Sequence, residues 1–275
     1  MVDPAILKAL GDVQESDVSI SSVTLGFSRT SRIELTDGRR YFLKQSPSRV
    51  MIEGEAESYR QITAAVRDFC PTVLASGECV SGSGARSWFL ITSFLDFEER
   101  PDGTTLAHKL ATLHATSSHA GSGFGFPVAT CCADTVQRNA WRQSWTEFFI
   151  EQRLRPISTL GDNAHDGDLA SLVDRAAQRA VPRLLDVLRI RPALIHGDLW
   201  SGNQRAGYVF DSCALFAHSE FELGIMSMFG GLARTVHEYH QFKPKDEPTA
   251  EYDDRVALYR DSAKRTLARL IDKYG

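Results

Sequence analysis

The sequence predicts an α+β protein of two lobes, in which a small antiparallel sheet comes first and a mostly helical part follows. Strand-like segments joined by turns fill the first third of the 275 residues, and one helix-like segment interrupts them. Apolar residues then recur at helical spacing over the rest of the chain. We therefore expect an N-terminal lobe over residues 1–97 and a C-terminal lobe over residues 98–275.

Turn and cap residues divide the N-terminal lobe into its elements. Asp3 and Pro4 are typical of a helix start and Gly11 of a helix end, so a short helix opens the chain. The pair Asp37-Gly38 predicts a hairpin turn between two strands. We expect strands over residues 20–25, 32–35, 40–44, 73–75 and 88–91, and one helix over residues 51–66.

Helical periodicity accounts for the C-terminal lobe. Leu106, Leu110 and Leu113 follow one another at spacings of four and three, which places them on one face of a helix. Pro182 has no backbone N–H and predicts a break or kink in the helical segment that contains it. Further helices are expected over residues 141–154, 169–188 and 252–274.

Composition and charge exclude several functional classes. The chain has 31 Lys and Arg against 35 Asp and Glu, a net charge of −4, so nucleic-acid binding and polybasic membrane contact are not expected. No apolar run is long enough to span a bilayer, and no export signal is visible. Five cysteines without C-x-x-C spacing argue against disulfides or a zinc site and favour the cytoplasm. The sequence sets no oligomeric state.

The most informative segment is ALIHGDLWSGN, residues 193–203. An apolar strand leads into His196-Gly197-Asp198, and Asn203 follows five positions after the aspartate. A second predicted strand ends in Asp211. Phosphoryl transfer requires one carboxylate that orients the attacking hydroxyl, and an amide oxygen with a second carboxylate to hold Mg²⁺. The spacing therefore predicts the catalytic and metal loops of a protein-kinase-like fold.

Two residues of the N-terminal lobe are candidates for ATP binding. In kinase-like lobes a strand lysine contacts the phosphates, and a glutamate on the next helix holds that lysine. Lys44 ends a predicted strand, and Glu55 lies on the predicted helix that follows it. Glu53 and Glu57 are alternative candidates for the glutamate that holds the lysine, and we prefer Glu55.

These segments resemble the fructosamine-3-kinase and ketosamine-3-kinase family of the protein-kinase-like fold. HGDLWSGN (196–203) is the most specific, because other small-molecule kinases share the HGD and the Asn but not the Trp-Ser-Gly. The resemblance also covers EGEAESYRQI (53–62), FGFPVATCCADTVQRNAW (124–141), HSEFELGIMSMFGGL (218–232) and YDDRVALY (252–259). It implies a kinase that uses ATP and Mg²⁺ to phosphorylate the sugar 3-hydroxyl of ketosamines, on small molecules or glycated protein side chains, in deglycation repair.

The resemblance also implies roles for the matching residues in catalysis and in binding ATP. Asp198 is expected to be the catalytic base, and Asn203 and Asp211 are expected to be the Mg²⁺ ligands. Lys44 and Glu55 are expected to form the pair that contacts the ATP phosphates.

Further roles concern adenine, the sugar and the support of the catalytic loop. The backbone near Ser93 and Leu95 resembles the interlobe hinge that binds adenine. Trp200 resembles the aromatic residue that faces the sugar. His196 is expected to be structural in the catalytic loop and is also a candidate for substrate contact. Glu222 is expected to anchor that loop without touching substrate.

Two departures from the family pattern matter for function. In the predicted phosphate loop, residues 24–30, Gly26 is the only glycine, and we expect it to lie against ATP. After Tyr259, a C-terminal segment usual in the family is missing, which could leave part of the core or pocket uncovered. Two alternatives therefore stay open: a weak or inactive pseudokinase, and a kinase for an aminoglycoside or amino alcohol.

Overall fold

The computed structural model describes residues 2–22, 28–81, 84–98, 103–118, 121–260 and 264–275. Its N-terminal part is a five-stranded antiparallel sheet in the order β1-β2-β3-β5-β4, with a short helix before it and a long helix between β3 and β4. These elements are α1 Pro4–Ala9, β1 Val18–Ser22, β2 Arg29–Leu35, β3 Arg40–Ser46, α2 Arg49–Ala65, β4 Val73–Val80 and β5 Arg86–Ser93. The predicted α+β class with a small antiparallel sheet is confirmed.

The remainder is mostly helical, with short strand pairs between the helices. The helices are α3 Leu106–Ala115, α4 Trp145–Phe149, α5 Arg155–Ile157, α6 Gly167–Arg175, α7 Val181–Leu185, α8 Ser219–Met226, α9 Ala233–Phe242, α10 Tyr252–Arg260 and α11 Lys264–Tyr274. The short strands are β6 Thr130–Cys132, β7 Thr135–Gln137, β8 Ala193–Ile195, β9 Gln204–Arg205, β10 Tyr208–Val209 and β11 Leu215–Ala217. In the part of the chain given above, no helix is both long and apolar enough to cross a bilayer.

The two faces of the sheet differ because strand side chains alternate between them. Ile33, Leu35 and Leu43 are buried on one face, where they form a small core with Ile6 and Leu10 around α1. The opposite face of β2 and β3 is turned toward the helical part of the molecule. The predicted hairpin turn at residues 37–38 connects β2 to β3, and the two strands pair in antiparallel register.

Helix α2 joins the sheet to the helical part. Ser48 caps its N-terminus by accepting a hydrogen bond from the Met51 N–H (3.3 Å). Ile52 and Ile62 belong to the large core that extends through the helices beyond residue 97. At Gly54 a side chain is excluded, because a Cβ there would lie 2.8 Å from Thr130 Cα. The absence of a side chain at Gly54 lets β6 approach the helix closely.

Of the break or kink predicted at Pro182, no break occurs, because a π-helical turn precedes the proline. Residues Ala176–Ala180 form this wider turn and connect α6 to α7 without interrupting the helical path. A helix of this kind hydrogen-bonds from residue i to i+5, which relieves the crowding that a proline ring causes in an ordinary α-helix. The helix predicted over residues 141–154 begins later, at Trp145, because Ser144 caps it.

The last helix packs into the large core. Of the residues predicted as one helical series, Tyr252–Arg260 form α10 and Lys264–Tyr274 form α11, and residues 261–263 lie outside the described chain. Leu267, Leu270 and Ile271 of α11 are buried in the large core. The last helix therefore covers the apolar surface of α6 and of the π-helical turn.

Asp254 on α10 fixes α11, and we expect Asp254→Asn to lower the free energy of unfolding. Its carboxylate accepts hydrogen bonds from Arg269 (2.5 Å), Lys273 (2.6 Å) and Tyr274 (2.7 Å). Burial alone would raise the pKa of Asp254, but these donors outweigh it and lower the pKa to about 2. A depressed pKa stabilises the fold above the unfolded-state pKa, and this contribution is lost as pH falls toward 2.

Thermal unfolding checks this expectation. The variant should melt several degrees below the wild type at pH 6, and this difference should narrow at pH 3. Asp253→Asn is the matched control, because Asp253 is the exposed neighbour on the same helix. A difference in melting temperature that stays constant between pH 6 and pH 3 would show that the charge of Asp254 is not responsible.

Candidate active site

A cleft of about 960 Å³ lies between the open face of the sheet and the loops of the helical part. Most of the predicted site residues line it: Lys44, Glu55, Ser93, Leu95, Asp198, Trp200, Asn203 and Asp211. Gly26 lies outside the described residues. The structure therefore brings together side chains that are up to 167 positions apart in the sequence.

Lys44 is at the centre of an ionic cluster in which Lys44 and Glu55 are buried and Asp211 is half-exposed. Its Nζ lies 2.6 Å from Glu55 Oε2 and 2.8 Å from Asp211 Oδ1, so the preferred glutamate is the one in contact. Burial opposes the charged form of Lys44, but the two carboxylates outweigh it and raise the pKa of the amine. The cation is therefore fixed at the junction of strand, helix and metal loop, where it can contact phosphate oxygens.

Tyr59, for which the sequence predicts no role in the site, completes this cluster. Its hydroxyl donates to Glu55 Oε1 (2.7 Å) and accepts from the Asp211 N–H (2.9 Å). The neighbouring Ser58 Oγ accepts from the Ala214 N–H (3.0 Å). The available signal was the spacing of four between Glu55 and Tyr59, which puts both on one side of a helix.

Tyr59→Phe should weaken both folding and ATP use. Phenylalanine keeps the ring but can neither donate a hydrogen bond to Glu55 nor accept one from the Asp211 N–H. We therefore expect the free energy of unfolding to fall by about 1–2 kcal/mol. We also expect kcat/KM for ATP to fall about fivefold, because Lys44 and Asp211 lose a shared support. Urea unfolding and ATP-dependent kinetics measure the two effects. Tyr41→Phe removes only a 3.4 Å surface contact with Arg39 and should change neither.

The loop after β8 presents the candidate base. Strand β8 pairs with β11, and the chain then turns at Gly197 with a φ of +89°. A Cβ at this glycine would clash with the Cys213 carbonyl oxygen, so no larger residue allows the turn. Asn203 Nδ2 donates to the backbone oxygen of Asp198 (2.9 Å) and to its Oδ2 (3.0 Å), which fixes the carboxylate.

The surroundings of Asp198 make its carboxylate unusually basic. Burial is the largest cause, and the nearby charges of Glu222 and Asp211 add to it, while the hydrogen bond from Asn203 acts against them. Together they raise the pKa of Asp198 to about 7. A group whose pKa lies close to neutrality is well suited to accept a proton in general base catalysis.

Glu222 of α8 anchors the loop that carries Asp198, in the position that the resemblance implies. The side chain is completely buried and accepts hydrogen bonds from the backbone N–H groups of His196 (2.5 Å), Gly197 (3.2 Å) and Leu199 (3.3 Å). Burial would raise the pKa of Glu222, but His114 and these donors outweigh it and lower the pKa. A buried carboxylate therefore holds the loop that carries Asp198.

His196 does not contact the cleft, so the expectation that it binds substrate is wrong. It is only 1% exposed, and both ring nitrogens already have partners. Nδ1 accepts from the Asp198 N–H (3.3 Å), and Nε2 donates to the Phe210 carbonyl (3.0 Å). Its ring connects the loop that carries Asp198 to Phe210, which follows β10, and this is the structural role also expected for it.

At Ser93, in the expected hinge, only some of the hydrogen-bonding groups are free to contact a ligand. The Ser93 N–H already donates to the Thr72 carbonyl (2.9 Å), and the Ser93 Oγ accepts from the Thr72 N–H (2.9 Å). The Ser93 carbonyl accepts one hydrogen bond, from Thr92 Oγ1 (3.2 Å), and keeps a second lone pair. Any contact between adenine and the backbone of Ser93 is therefore through its carbonyl oxygen.

Asn203 and Asp211 present the oxygen atoms that a magnesium ion requires. Because the amide nitrogen of Asn203 is turned to Asp198, its carbonyl oxygen is the atom left for a ligand. The Asp211 side chain is 52% exposed, and only one of its carboxylate oxygens contacts Lys44. Carboxylate and amide oxygens are ligands that Mg²⁺ prefers, so the two side chains fit this ion.

Comparisons with known proteins identify the family to which this chain is similar. The sequence profile of a family described as Fructosamine kinase matches residues 6–261. The chain is 31% identical over 255 residues to a ketosamine-3-kinase of Mus musculus, covering 82% of this chain and 80% of the relative. It is 30% identical over 234 residues to a chloroplastic protein-ribulosamine 3-kinase of Arabidopsis thaliana, covering 82% and 69%.

A solved structure of similar fold supports this comparison. A protein from Haemophilus somnus, assigned as a fructosamine-3-kinase, superposes with a TM-score of 0.75 at 20% identity. The superposition covers 98% of this chain and 96% of the other. At this level of identity the likeness concerns the fold alone, and it confirms the predicted protein-kinase-like fold.

Proposed function

The chain belongs to the fructosamine kinase family, and from this premise we propose that it transfers the γ-phosphoryl group of ATP to the 3-hydroxyl of fructosamines and related ketosamines. One observation carries the proposal: the Lys44 cluster and the Asp198–Asn203 pair line the same cleft. A cation for phosphates and a fixed carboxylate for a hydroxyl are the parts that phosphoryl transfer needs.

The proposed reaction uses each part once. Asp198 orients the sugar hydroxyl and takes its proton, while Asn203 keeps the carboxylate in position. The hydroxyl oxygen bonds to the γ-phosphorus as the bond to the β–γ bridging oxygen breaks. The products are ADP and a ketosamine 3-phosphate. Lys44 steadies the phosphates of the leaving ADP, and the Ser93 carbonyl and the backbone at Leu95 hold the adenine.

Magnesium and the division into lobes belong to the same proposal. Asn203 and Asp211 would hold Mg²⁺, which when bound supplies positive charge against the phosphates. We assign ATP binding to residues 1–97, including Gly26, and catalysis and sugar binding to residues 98–275. Trp200, an indole on the cleft wall, provides a flat apolar surface for the sugar ring.

The biological role that we propose is the repair of glycated amines. The resemblance implies that the 3-phosphate product is unstable and releases the amine, on free amines or on protein side chains. We place this activity in the cytoplasm, since all five cysteines are free thiols, as is usual in a reducing compartment.

The release of ADP from Mg·ATP tests the proposal directly. Fructosyl-glycine should stimulate ADP release, and its 3-deoxy analogue should not, because that analogue lacks the attacking hydroxyl. Phosphorus NMR should locate the new phosphate on C3. Faster turnover of an aminoglycoside or amino alcohol would contradict the ketosamine assignment. ATP binding without ADP release, whatever the acceptor, would instead identify a pseudokinase.

A further inference from the structure

An exposed apolar surface lies beside the catalytic loop. Met228 and Phe229 follow α8 and are 47% and 63% exposed, although both are large apolar side chains. The segment that contains them, SMFGGL (227–232), has no charged residue. We call these two side chains the apolar ledge. Exposed apolar surface that adjoins a cleft is typical of ligand contact.

The backbone holds the apolar ledge against the catalytic loop. Gly230 and Gly231 have φ angles of +73° and +83°, a region in which other residues are strained. A Cβ at Gly231 would lie 3.1 Å from the Ser201 Cβ, so this position has little room for a side chain. The two glycines therefore turn the chain sharply next to the loop that carries Asp198.

Trp200 connects the apolar ledge to the cleft. The rings of Trp200 and Phe229 meet edge to face with centroids 5.2 Å apart. The Trp200 indole also packs against Gly202, and a Cβ at Gly202 would clash with it. Trp200 also lines the cleft, two residues after Asp198. The apolar surface thus continues from the cleft wall to the exposed Phe229.

We propose that the apolar ledge binds the amine carrier of the ketosamine and selects apolar or aromatic carriers. This inference rests on the proposed function. In this proposal the sugar 3-hydroxyl lies at Asp198 and the sugar ring lies against Trp200. A group on C1 that continues past the indole then meets Phe229, whose ring contacts that of Trp200. An uncharged apolar surface stabilises an apolar carrier by excluding water and gives a small or charged carrier no such gain.

A panel of ketosamines with different carriers tests this assignment. Fructosyl derivatives of glycine, valine and phenylalanine share the sugar and the α-carboxylate and differ only in apolar area. For the wild type, we expect kcat/KM to rise about tenfold from the glycine to the phenylalanine carrier. In Phe229→Ser this rise should disappear, while turnover of the glycine carrier stays within about twofold. Equal losses on all three carriers would overturn the assignment.

Two controls separate this proposal from the proposed function. Phe242→Ser removes a phenylalanine that is 51% exposed and packs on His108, so its carrier preference should match the wild type. Calorimetric dissociation constants for the same panel, with a non-hydrolysable ATP analogue, report carrier preference without turnover. A carrier preference in binding, with no turnover of any carrier, would support the apolar ledge and contradict the kinase activity. Equal binding of all carriers, or none, would overturn the apolar ledge.

Discussion

Asp198→Asn should lower kcat for ketosamine phosphorylation by about 10²- to 10⁴-fold and should leave ATP binding within about twofold of the wild type. Asparagine keeps the size of the side chain and one acceptor oxygen, so it can still accept the hydrogen bond from Asn203. It has no charge and takes no proton from the sugar hydroxyl. The loss therefore falls on the chemical step and not on the nucleotide site.

Steady-state kinetics and ATP titration measure these two effects separately. Asp162→Asn is the matched control, because Asp162 lies exposed in a short helical turn among the helices. It should retain wild-type kcat. A kcat of Asp198→Asn within threefold of the wild type would remove Asp198 from the reaction. A parallel loss of ATP binding would show that the substitution disturbs the whole cleft.

Glu222→Ala is the second substitution for which we expect a large effect. It should lower both the stability of the fold and kcat. The substitution leaves the backbone N–H groups of His196, Gly197 and Leu199 without their buried acceptor. Because each unsatisfied group costs about 1–3 kcal/mol, we expect the free energy of unfolding to fall by about 3–5 kcal/mol. We also expect a fall in kcat of about tenfold or more, since the loop no longer holds Asp198 in place.

Urea unfolding, and kinetics at a temperature where the variant is folded, measure these effects. Glu222→Gln should lie between the wild type and the alanine variant, because the amide keeps one acceptor oxygen but places an NH₂ group among donors. Glu147→Ala changes an exposed glutamate on α4 and serves as the control. Full stability of Glu222→Ala would mean that water replaces the carboxylate, and the anchor would then be unnecessary.

The sequence predicted best those features that depend on neighbours along the chain. Asp198 and Asn203 lie on one short loop, so their spacing alone sets their approximate separation. The pairing of Lys44 with Glu55 depended on the order of strand and helix, which the hydrophobic pattern already indicated. The resemblance to a family then assigned chemistry to these positions, which composition and periodicity do not supply.

Features that depend on contacts between distant segments were not predictable in the same way. The Tyr59 hydroxyl reaches the Asp211 N–H across 152 positions of sequence, and the pattern of α2 shows it only as an apolar residue. The orientation of the His196 ring follows from its contact with Phe210. The effect of Pro182 depended on a π-helical turn whose sequence, AAQRA, carries no distinctive signal.

Helix α2 is held from several sides, and this has a consequence for control of the enzyme. Its apolar residues lie in the core of the helical part, β6 abuts it at Gly54, and Tyr59 ties it to Asp211. To swing outward and separate Glu55 from Lys44, this helix would have to lose all of these contacts together. This packing therefore disfavours an on–off switch at the ion pair. We expect activity to depend on the supply of glycated amine and ATP and not on movement of this helix.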